Sequence, residues 1–181
     1  MEKYKKFIEL FEKWNTKINL VARGEDIIGR HIKNSLAILP YLKNKKSITD
    51  IGSGGGFPGL ILAMEKIHVK HLVESDGRKC AFLETAKREL GLDELEIINS
   101  RIEDLEGFNA ETITSRAFAS VAETLRLTQN IATPETEYYL LKGQEVGAEI
   151  KEAKRTHDFD HETLTNDGAT ILYIYNVRRR G

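Results

Sequence analysis

A strand that runs straight into a row of glycines is the feature that most constrains this chain. Residues 47–51 have the apolar, β-prone character of a buried strand, and GSGGGFPG follows at 52–59. Glycines in such a turn permit positive φ and let a ligand approach the main chain where a Cβ would clash. Pro58 suits the first turn of a helix, because its missing N–H needs no partner there. Segment 50–59 therefore predicts a strand, a tight glycine turn and a helix.

Strand-like and helix-like segments alternate after residue 46. We predict strands at 47–51, 69–74, 95–99, 112–116 and 137–142, and helices at 58–66, 77–90, 119–131 and 144–155. Such alternation is typical of parallel strands joined by right-handed crossovers.

The end of the chain has a different pattern. Two β-rich runs, 159–165 and 169–177, flank Asn166-Asp167-Gly168, which is a hairpin turn signal. The expected fold is α/β and Rossmann-like, with a mainly parallel seven-stranded sheet that ends in an antiparallel hairpin. That layout is typical of class I methyltransferases.

The N-terminal region is predicted to be helical. Apolar residues recur on one helical face within segment 2–22, namely Phe7, Leu10, Phe11, Trp14 and Ile18. A second helix is predicted at about 26–42, with an interruption near Pro40. We expect these helices, residues 1–45, to dock on a Rossmann-like core at 46–181, and the whole of 1–181 to form one domain.

Composition narrows the possible functions. The formal net charge of −1 argues against a chain that grips a long duplex by counterion release. Two basic clusters still offer small contact patches for RNA: Lys43, Lys45 and Lys46, and Arg178, Arg179 and Arg180. Cys80 is the only cysteine, so we expect neither a disulfide nor a metal site. Without a membrane-spanning run or secretory segment, we expect a cytoplasmic monomer that does not contact membranes.

Two cofactor classes use a glycine turn of this kind. Residues 54–59 match the dinucleotide pattern G-x-G-x-x-G, whereas 50–56 match the D-x-G-x-G-x-G pattern of S-adenosylmethionine binders. Glu74 ends the second strand, where its carboxylate can accept both ribose hydroxyls of either cofactor. Asp50 would repel a pyrophosphate but suits a cationic amino-acid tail, and the terminal hairpin agrees. We therefore favour S-adenosyl-L-methionine, and predict that Asp50, Gly52, Gly54, Gly56 and Glu74 bind it. A dinucleotide-dependent oxidoreductase remains the alternative.

Several segments together resemble the ribosomal RNA small subunit methyltransferase G family, also called glucose-inhibited division protein B. The segments that carry the resemblance are 15–20, 30–36, 50–59, 74–75, 79–83, 100–103, 115–119 and 141–143. The resemblance implies methylation of N7 of a guanosine in 16S rRNA, with free rRNA or the small ribosomal subunit as partner. It also implies that Gly52, Phe57, Ile102, Glu103 and Arg116 contact the cofactor.

The chemistry predicts few catalytic groups. Guanine N7 carries an available lone pair, so attack on a sulfonium methyl needs no general base. Arg116 and Lys142 end the fourth and fifth strands, at the edge where open α/β sheets bind ligands. We predict that they are the catalytic residues, holding O6 or a phosphate, with ion pairing to carboxylates as the alternative role. His31 is expected to be a structural hydrogen-bonding residue.

Other functions remain compatible with the residues alone. One is a class I methyltransferase that acts on a different RNA, a protein or a small molecule. Another is a ribosome-binding or assembly factor that has lost its activity.

Overall fold

The structure, a computed structural model, describes residues 4–22 and 24–180. The helices are α1 (Lys5–Asn15), α2 (Lys33–Ala37), α3 (Leu39–Leu42), α4 (Gly59–Met64), α5 (Gly77–Leu90), α6 (Val121–Leu127) and α7 (Val146–Ala153). The strands are β1 (Ile48–Ile51), β2 (Val69–Glu74), β3 (Glu96–Asn99), β4 (Ala110–Arg116), β5 (Ala132–Lys142), β6 (His157–Asn166) and β7 (Ala169–Arg179). A π-helical turn, Ile27–Ile32, precedes α2, and a 3-10 turn, Ile102–Asp104, follows β3.

The seven strands form one sheet in the order β3-β2-β1-β4-β5-β7-β6. Strands β1 to β5 run parallel to one another, and β7 runs antiparallel to both β5 and β6. Asp167 and Gly168 connect β6 to β7 with φ of 46° and 78°, as a tight hairpin turn requires. The predicted fold class is confirmed, including the terminal hairpin.

Apolar side chains cover both faces of the sheet. One core cluster joins α1, α2, α4 and α5 to the sheet and includes Phe7, Phe11 and Phe82, which are fully buried. The other cluster lies under α6 and α7 and includes Val121 and Ala153. The N-terminal helices are thus part of the packing of one sheet face.

The first helix is shorter than predicted. It ends at Asn15, whereas the apolar stripe predicted a helix over 2–22, of which residues 2 and 3 lie outside the described part. The Asn15 Oδ1 atom accepts hydrogen bonds from the N–H groups of Leu20 and Val21, at 2.9 and 3.2 Å. This side chain satisfies donors that a continuing helix would have used, so the chain turns.

The second helical segment begins where predicted and is broken just before Pro40. Asp26 caps the π-helical turn by accepting a hydrogen bond from the Gly29 N–H at 2.8 Å. The break falls at Ile38, between α2 and α3, and Pro40 lies in the first turn of α3.

The region around residue 130 also differs from the prediction. Helix α6 ends at Leu127 rather than 131, and β5 begins at Ala132 rather than 137. The Asn130 side chain donates to the carbonyl groups of Ile102 and Glu103, at 3.3 and 3.2 Å. These contacts come from a distant segment, so local sequence could not have predicted them. Within 4–22 and 24–180, none of the helices is both long enough and apolar enough to cross a bilayer.

Candidate active site

The glycine turn has a partly exposed half and a buried half. Gly52 and Gly54 are half-buried, with φ of 63° and 52°, which is left-handed backbone that only glycine adopts readily. The nearest atom to a Cβ added at Gly54 would be the Gly52 carbonyl oxygen, 3.7 Å away. A Cβ at Gly52 would instead meet the ring of Phe118 at 2.4 Å. The first half of the turn therefore leaves main chain accessible, with Phe118 beside it.

The second half of the turn is packed into the core. A Cβ at Gly56 would lie 2.7 Å from the Leu60 Cβ, and one at Gly59 would lie 2.6 Å from the Asp50 Cβ. Pro58 is the N-cap of α4, one residue before the position predicted for it. These glycines permit close packing of α4 on β1, and Gly56 faces Leu60 rather than open space.

Asp50 lies beneath the turn and is fully buried. Its Oδ1 atom accepts a hydrogen bond from the Thr114 hydroxyl at 2.9 Å, and Oδ2 has no partner within the described 4–22 and 24–180. Burial raises the pKa of Asp50 to about 6, while hydrogen bonds and the Arg116 charge oppose the shift. Direct contact with a cationic tail was predicted, but the carboxylate faces inward.

Glu74 joins the end of β2 to the exposed half of the turn. Its Oε2 accepts from the Gly54 N–H at 2.9 Å, and its Oε1 accepts from the Asp76 N–H at 2.8 Å. A carboxylate oxygen has further acceptor sites, so both oxygens can also take hydroxyl donors. The predicted ribose-binding residue thus lies directly against the predicted ligand-binding main chain.

Arg116 ends β4, and its guanidinium lies over the ring of Phe57, with 5.0 Å between Cζ and the ring centroid. The Arg116 Nε atom is buried and has no hydrogen-bond partner among the residues that the structure describes. Burial lowers the pKa of Arg116, and the charges of Asp50 and Glu25 oppose that shift. Phe57 was predicted to contact the cofactor, yet its ring is buried among Phe7, Phe11 and Arg116.

His31 also lies against the Phe57 ring. Its ring is 5.1 Å from that of Phe57, and its Nε2 is 2.5 Å from the Glu25 Oε2. The Nδ1 atom of His31 is buried without a partner in the described part of the chain. Burial and the positive charge of Arg116 lower the pKa of His31, against the opposing effect of Glu25.

Glu25, His31 and Arg116 line a cleft of about 810 Å³ at the carboxyl ends of β4 and β5. The charged and polar side chains in its wall are Glu25, Arg30, His31, Asn34, Arg116, Ser120, Lys142, Glu149 and Thr170. Phe118, which packs against Gly52, is also in the wall. The exposed half of the glycine turn and the polar cleft are therefore neighbours.

The ammonium group of Lys142 is hydrogen-bonded to two other parts of the chain. Its Nζ donates to the Ala119 carbonyl and to the Glu149 Oε2, each at 2.7 Å. The same Glu149 oxygen accepts from the Val121 N–H at 2.9 Å. Lys142 and Glu149 thus hold the segment after β4, where Ala117 has a φ of 52° that non-glycine residues rarely adopt.

Ile102 and Glu103 lie in the 3-10 turn after β3. Ile102 is buried in the core beneath α6, whereas Glu103 is exposed, 3.8 Å from the Arg101 guanidinium. Both residues follow the strand adjacent to Glu74, at the carboxyl edge of the sheet.

Sequence reasoning missed part of the cleft. Glu25, Phe118 and Glu149 were not singled out, and His31 was expected to be structural. For His31 the only sequence signal was the resemblance of segment 30–36, and no segment that we singled out includes Glu25. Cys80 is buried, and burial raises its pKa to about 11, as expected for a thiol without a catalytic role.

Comparison with known proteins agrees with this geometry. A profile of the family described as rRNA small subunit methyltransferase G, or GidB, matches residues 1–168. The ribosomal RNA small subunit methyltransferase G of Rickettsia prowazekii is 38% identical over 185 residues, which is 99% of this chain and 95% of that protein. The enzyme of the same name from Paracoccus denitrificans is 35% identical, over 98% of this chain and 95% of its own length.

Solved structures share the fold at low sequence identity. A SAM-dependent methyltransferase from Aquifex aeolicus has a TM-score of 0.62 and 15% identity, with 92% of this chain and 97% of that chain covered. The O-methyltransferase from Bacillus cereus, in complex with SAH, has a TM-score of 0.60 and 12% identity, with 94% and 90% covered. These likenesses identify the sheet and its helices as a methyltransferase fold.

Proposed function

The chain belongs to the rRNA small subunit methyltransferase G family, and from that premise we propose that it methylates N7 of a guanosine in 16S rRNA. S-adenosyl-L-methionine is the proposed cofactor, and when bound it supplies an electrophilic methyl group on a sulfonium. The substrate is the rRNA or the small ribosomal subunit. The observation that carries this proposal is a glycine turn beside Glu74 that borders a cleft containing Arg116.

The residues present fit the cofactor. Gly54 is open on its outer side, so the main chain there can lie against a nucleoside without a Cβ in the way. Glu74 has acceptor capacity for ribose hydroxyls next to the same main chain. We propose that Gly52, Gly54 and Glu74 hold the amino-acid and ribose parts, and that Ile102 and Glu103 border the adenine.

Three predicted cofactor residues act less directly in this proposal. Asp50 and Phe57 have buried side chains, and Gly56 packs on Leu60. We propose that Asp50 stabilises the turn and the charge of Arg116, and that Phe57 and Gly56 support the turn from beneath.

The chain needs no proton acceptor for this reaction, because guanine N7 attacks through a free lone pair. The rate then depends on alignment, and well-oriented reactants can gain about 7–11 kcal/mol. Arg116 is the proposed catalytic residue, since its guanidinium can hold O6 or a phosphate. For Lys142 we propose a positioning role: it holds segment 117–120 through Ala119 and Glu149.

The substrate must present its base outside a helix. N7 and O6 lie on the major-groove edge, which side chains cannot reach in A-form RNA. A cleft of about 810 Å³ is large enough for a base that has left its stack. A loop nucleotide of the rRNA therefore fits the geometry.

Mass spectrometry of rRNA nucleosides tests the proposal. We expect 7-methylguanosine at one 16S rRNA position in cells that contain the protein, and its absence when the coding sequence is deleted. In vitro, labelled S-adenosyl-L-methionine incubated with 30S particles and with naked rRNA identifies the form of the substrate. Labelling of neither, with a small molecule or protein labelled instead, would overturn the rRNA assignment.

A further inference from the structure

Two buried polar atoms in the cleft wall lack hydrogen-bond partners in the described part of the chain. They are Nδ1 of His31 and Nε of Arg116. Both side chains lie against the ring of Phe57, at 5.1 Å for the His31 ring and 5.0 Å for the Arg116 Cζ. Buried polar groups are normally paired, so two such atoms in one cleft indicate a ligand that pairs them.

The two atoms have opposite polarity. The Glu25 carboxylate can only accept, so its contact with His31 places the ring hydrogen on Nε2. In a neutral ring this leaves a lone pair on Nδ1, which makes that atom an acceptor. Arg116 has donors only. Burial and the Arg116 charge keep the pKa of His31 low, which favours the neutral ring.

Guanine carries the complementary pattern. Its O6 is an acceptor, and the neighbouring N1–H is a donor. Adenine reverses both, with an amino group at C6 and a lone pair on N1. O6 also lies next to N7, so a protein that binds O6 and N1–H leaves N7 free to react.

We propose that His31 and Arg116 select guanine, with Arg116 donating to O6 and His31 Nδ1 accepting from N1–H. Glu25 is the positioning residue that sets the tautomer of His31. This inference rests on the proposed function, because it names the base-recognition residues of the same site. His31 is thereby a specificity-determining residue rather than a structural one.

The test uses purine analogues in the rRNA. The methylated nucleotide is first located by nuclease digestion and mass spectrometry. Splinted ligation then places guanosine, inosine or 2-aminopurine at that position. Inosine keeps O6, N1–H and N7, whereas 2-aminopurine keeps N7 but lacks O6 and has a lone pair on N1. For the unaltered protein, we expect kcat/KM for inosine within about threefold of guanosine, and a decrease of about 100-fold for 2-aminopurine.

The decisive variant is His31→Phe, which keeps an aromatic ring against Phe57 and removes the acceptor. We expect its kcat/KM for guanosine to fall about tenfold, with little change for 2-aminopurine, so that the guanosine preference falls about tenfold. Glu25→Gln should also lower the preference, because an amide can donate to His31 and reverse its tautomer.

His71→Phe is the matched control. His71 is half-buried, and its ring centroid lies 4.6 Å from that of Phe108. Its Nε2 atom lies 3.7 Å from the Glu96 Oε2. His71 thus has surroundings like those of His31 but is not in the wall of the cleft. For the His71→Phe variant, the preference for guanosine over 2-aminopurine should equal that of the unaltered protein. Equal losses on both purines in His31→Phe, or an unchanged ratio in soluble His31→Phe and Glu25→Gln, would overturn the assignment. If the unaltered protein leaves guanosine rRNA unmethylated, the proposed function itself fails.

Discussion

The two halves of the glycine turn use the same residue type for opposite reasons. At Gly54, glycine leaves the main chain accessible in a left-handed conformation, and at Gly52 it also makes room for the Phe118 ring. Around Gly56 and Gly59, glycine removes side chains so that α4 can approach β1 and Asp50. One half is therefore expected to determine ligand binding and the other to determine stability. The motif thus combines an accessible edge, for which we propose cofactor binding, with an edge that packs into the core.

The largest expected effect is on stability, from Gly59→Ala. Its Cβ would lie 2.4 Å from the Leu72 Cδ2 and 2.6 Å from the Asp50 Cβ, which cannot move without shifting β1. We expect a loss of about 3 kcal/mol in the free energy of unfolding, measured by urea denaturation. Gly147→Ala is the control, since Gly147 is an exposed helical glycine where an added Cβ would have no neighbour within 4 Å among the described residues. That variant should be unchanged or up to about 1 kcal/mol more stable.

The substitution Asp50→Asn tests the buried half of the turn through the pH dependence of the protein's stability. The pKa of Asp50 is about 6 in the folded protein, whereas in the unfolded chain it is close to the ordinary value of 3.8. Between these values the folded state binds more protons, so Asp50 makes the protein less stable as pH rises from about 4 to about 6. An asparagine at this position cannot ionise. The free energy of unfolding of the variant minus that of the original protein should therefore be larger at pH 7 than at pH 4, by about 2–3 kcal/mol. A difference that does not change with pH would contradict the assigned pKa.

Glu74→Ala probes the boundary between the halves. The substitution removes the acceptor for the Gly54 N–H and the proposed acceptor for the ribose hydroxyls. We expect S-adenosyl-L-methionine binding, measured by calorimetry, to weaken by roughly 1.5–3 kcal/mol. Glu96→Ala, at an exposed carboxylate on the adjacent strand β3, should leave the affinity unchanged. An unaltered affinity in Glu74→Ala would remove Glu74 from the site.

Gly54→Ala should have the smallest effect on stability. Its φ of 52° costs a non-glycine residue about 1 kcal/mol, but the added methyl meets no core atom. Gly91→Ala, at a φ of 67° in open space, carries the same strain away from the turn. We expect similar unfolding curves for both variants, and a loss of cofactor affinity of about tenfold only in Gly54→Ala. Equal cofactor affinities of the Gly54→Ala and Gly91→Ala variants would contradict the proposed binding role of the accessible half of the turn.

Much of the fold could be predicted from the sequence because its signals are local. Asp167-Gly168 specifies a tight hairpin, and the alternation of apolar strands with helices specifies parallel order. Element ends were less predictable where a distant group decides them. Asn130, which lies three residues after the end of α6, binds the carbonyl groups of Ile102 and Glu103, and no pattern near residue 130 indicates those partners.

In the candidate site, too, some residues could be predicted from the sequence and others could not. Glu74 and Arg116 were predictable as strand-end residues, and the structure brings both to the carboxyl edge of the sheet. The contacts of Lys142 with Ala119 and Glu149 were not, because a lysine at a strand end has no local feature that reveals its partner. The same limit applied to His31, whose role depends on Phe57 and Arg116.

The sequence by itself determined the turn and the order of the strands, because these follow from backbone freedom at glycine and from short-range periodicity. Only the tertiary structure decided which glycines are packed into the core, that Asp50 is buried, and that His31 and Arg116 both lie against Phe57. Those outcomes depend on which side chains fill the space around each residue. Packing brings together residues that are far apart in the chain, and their polarity and burial then define the cleft.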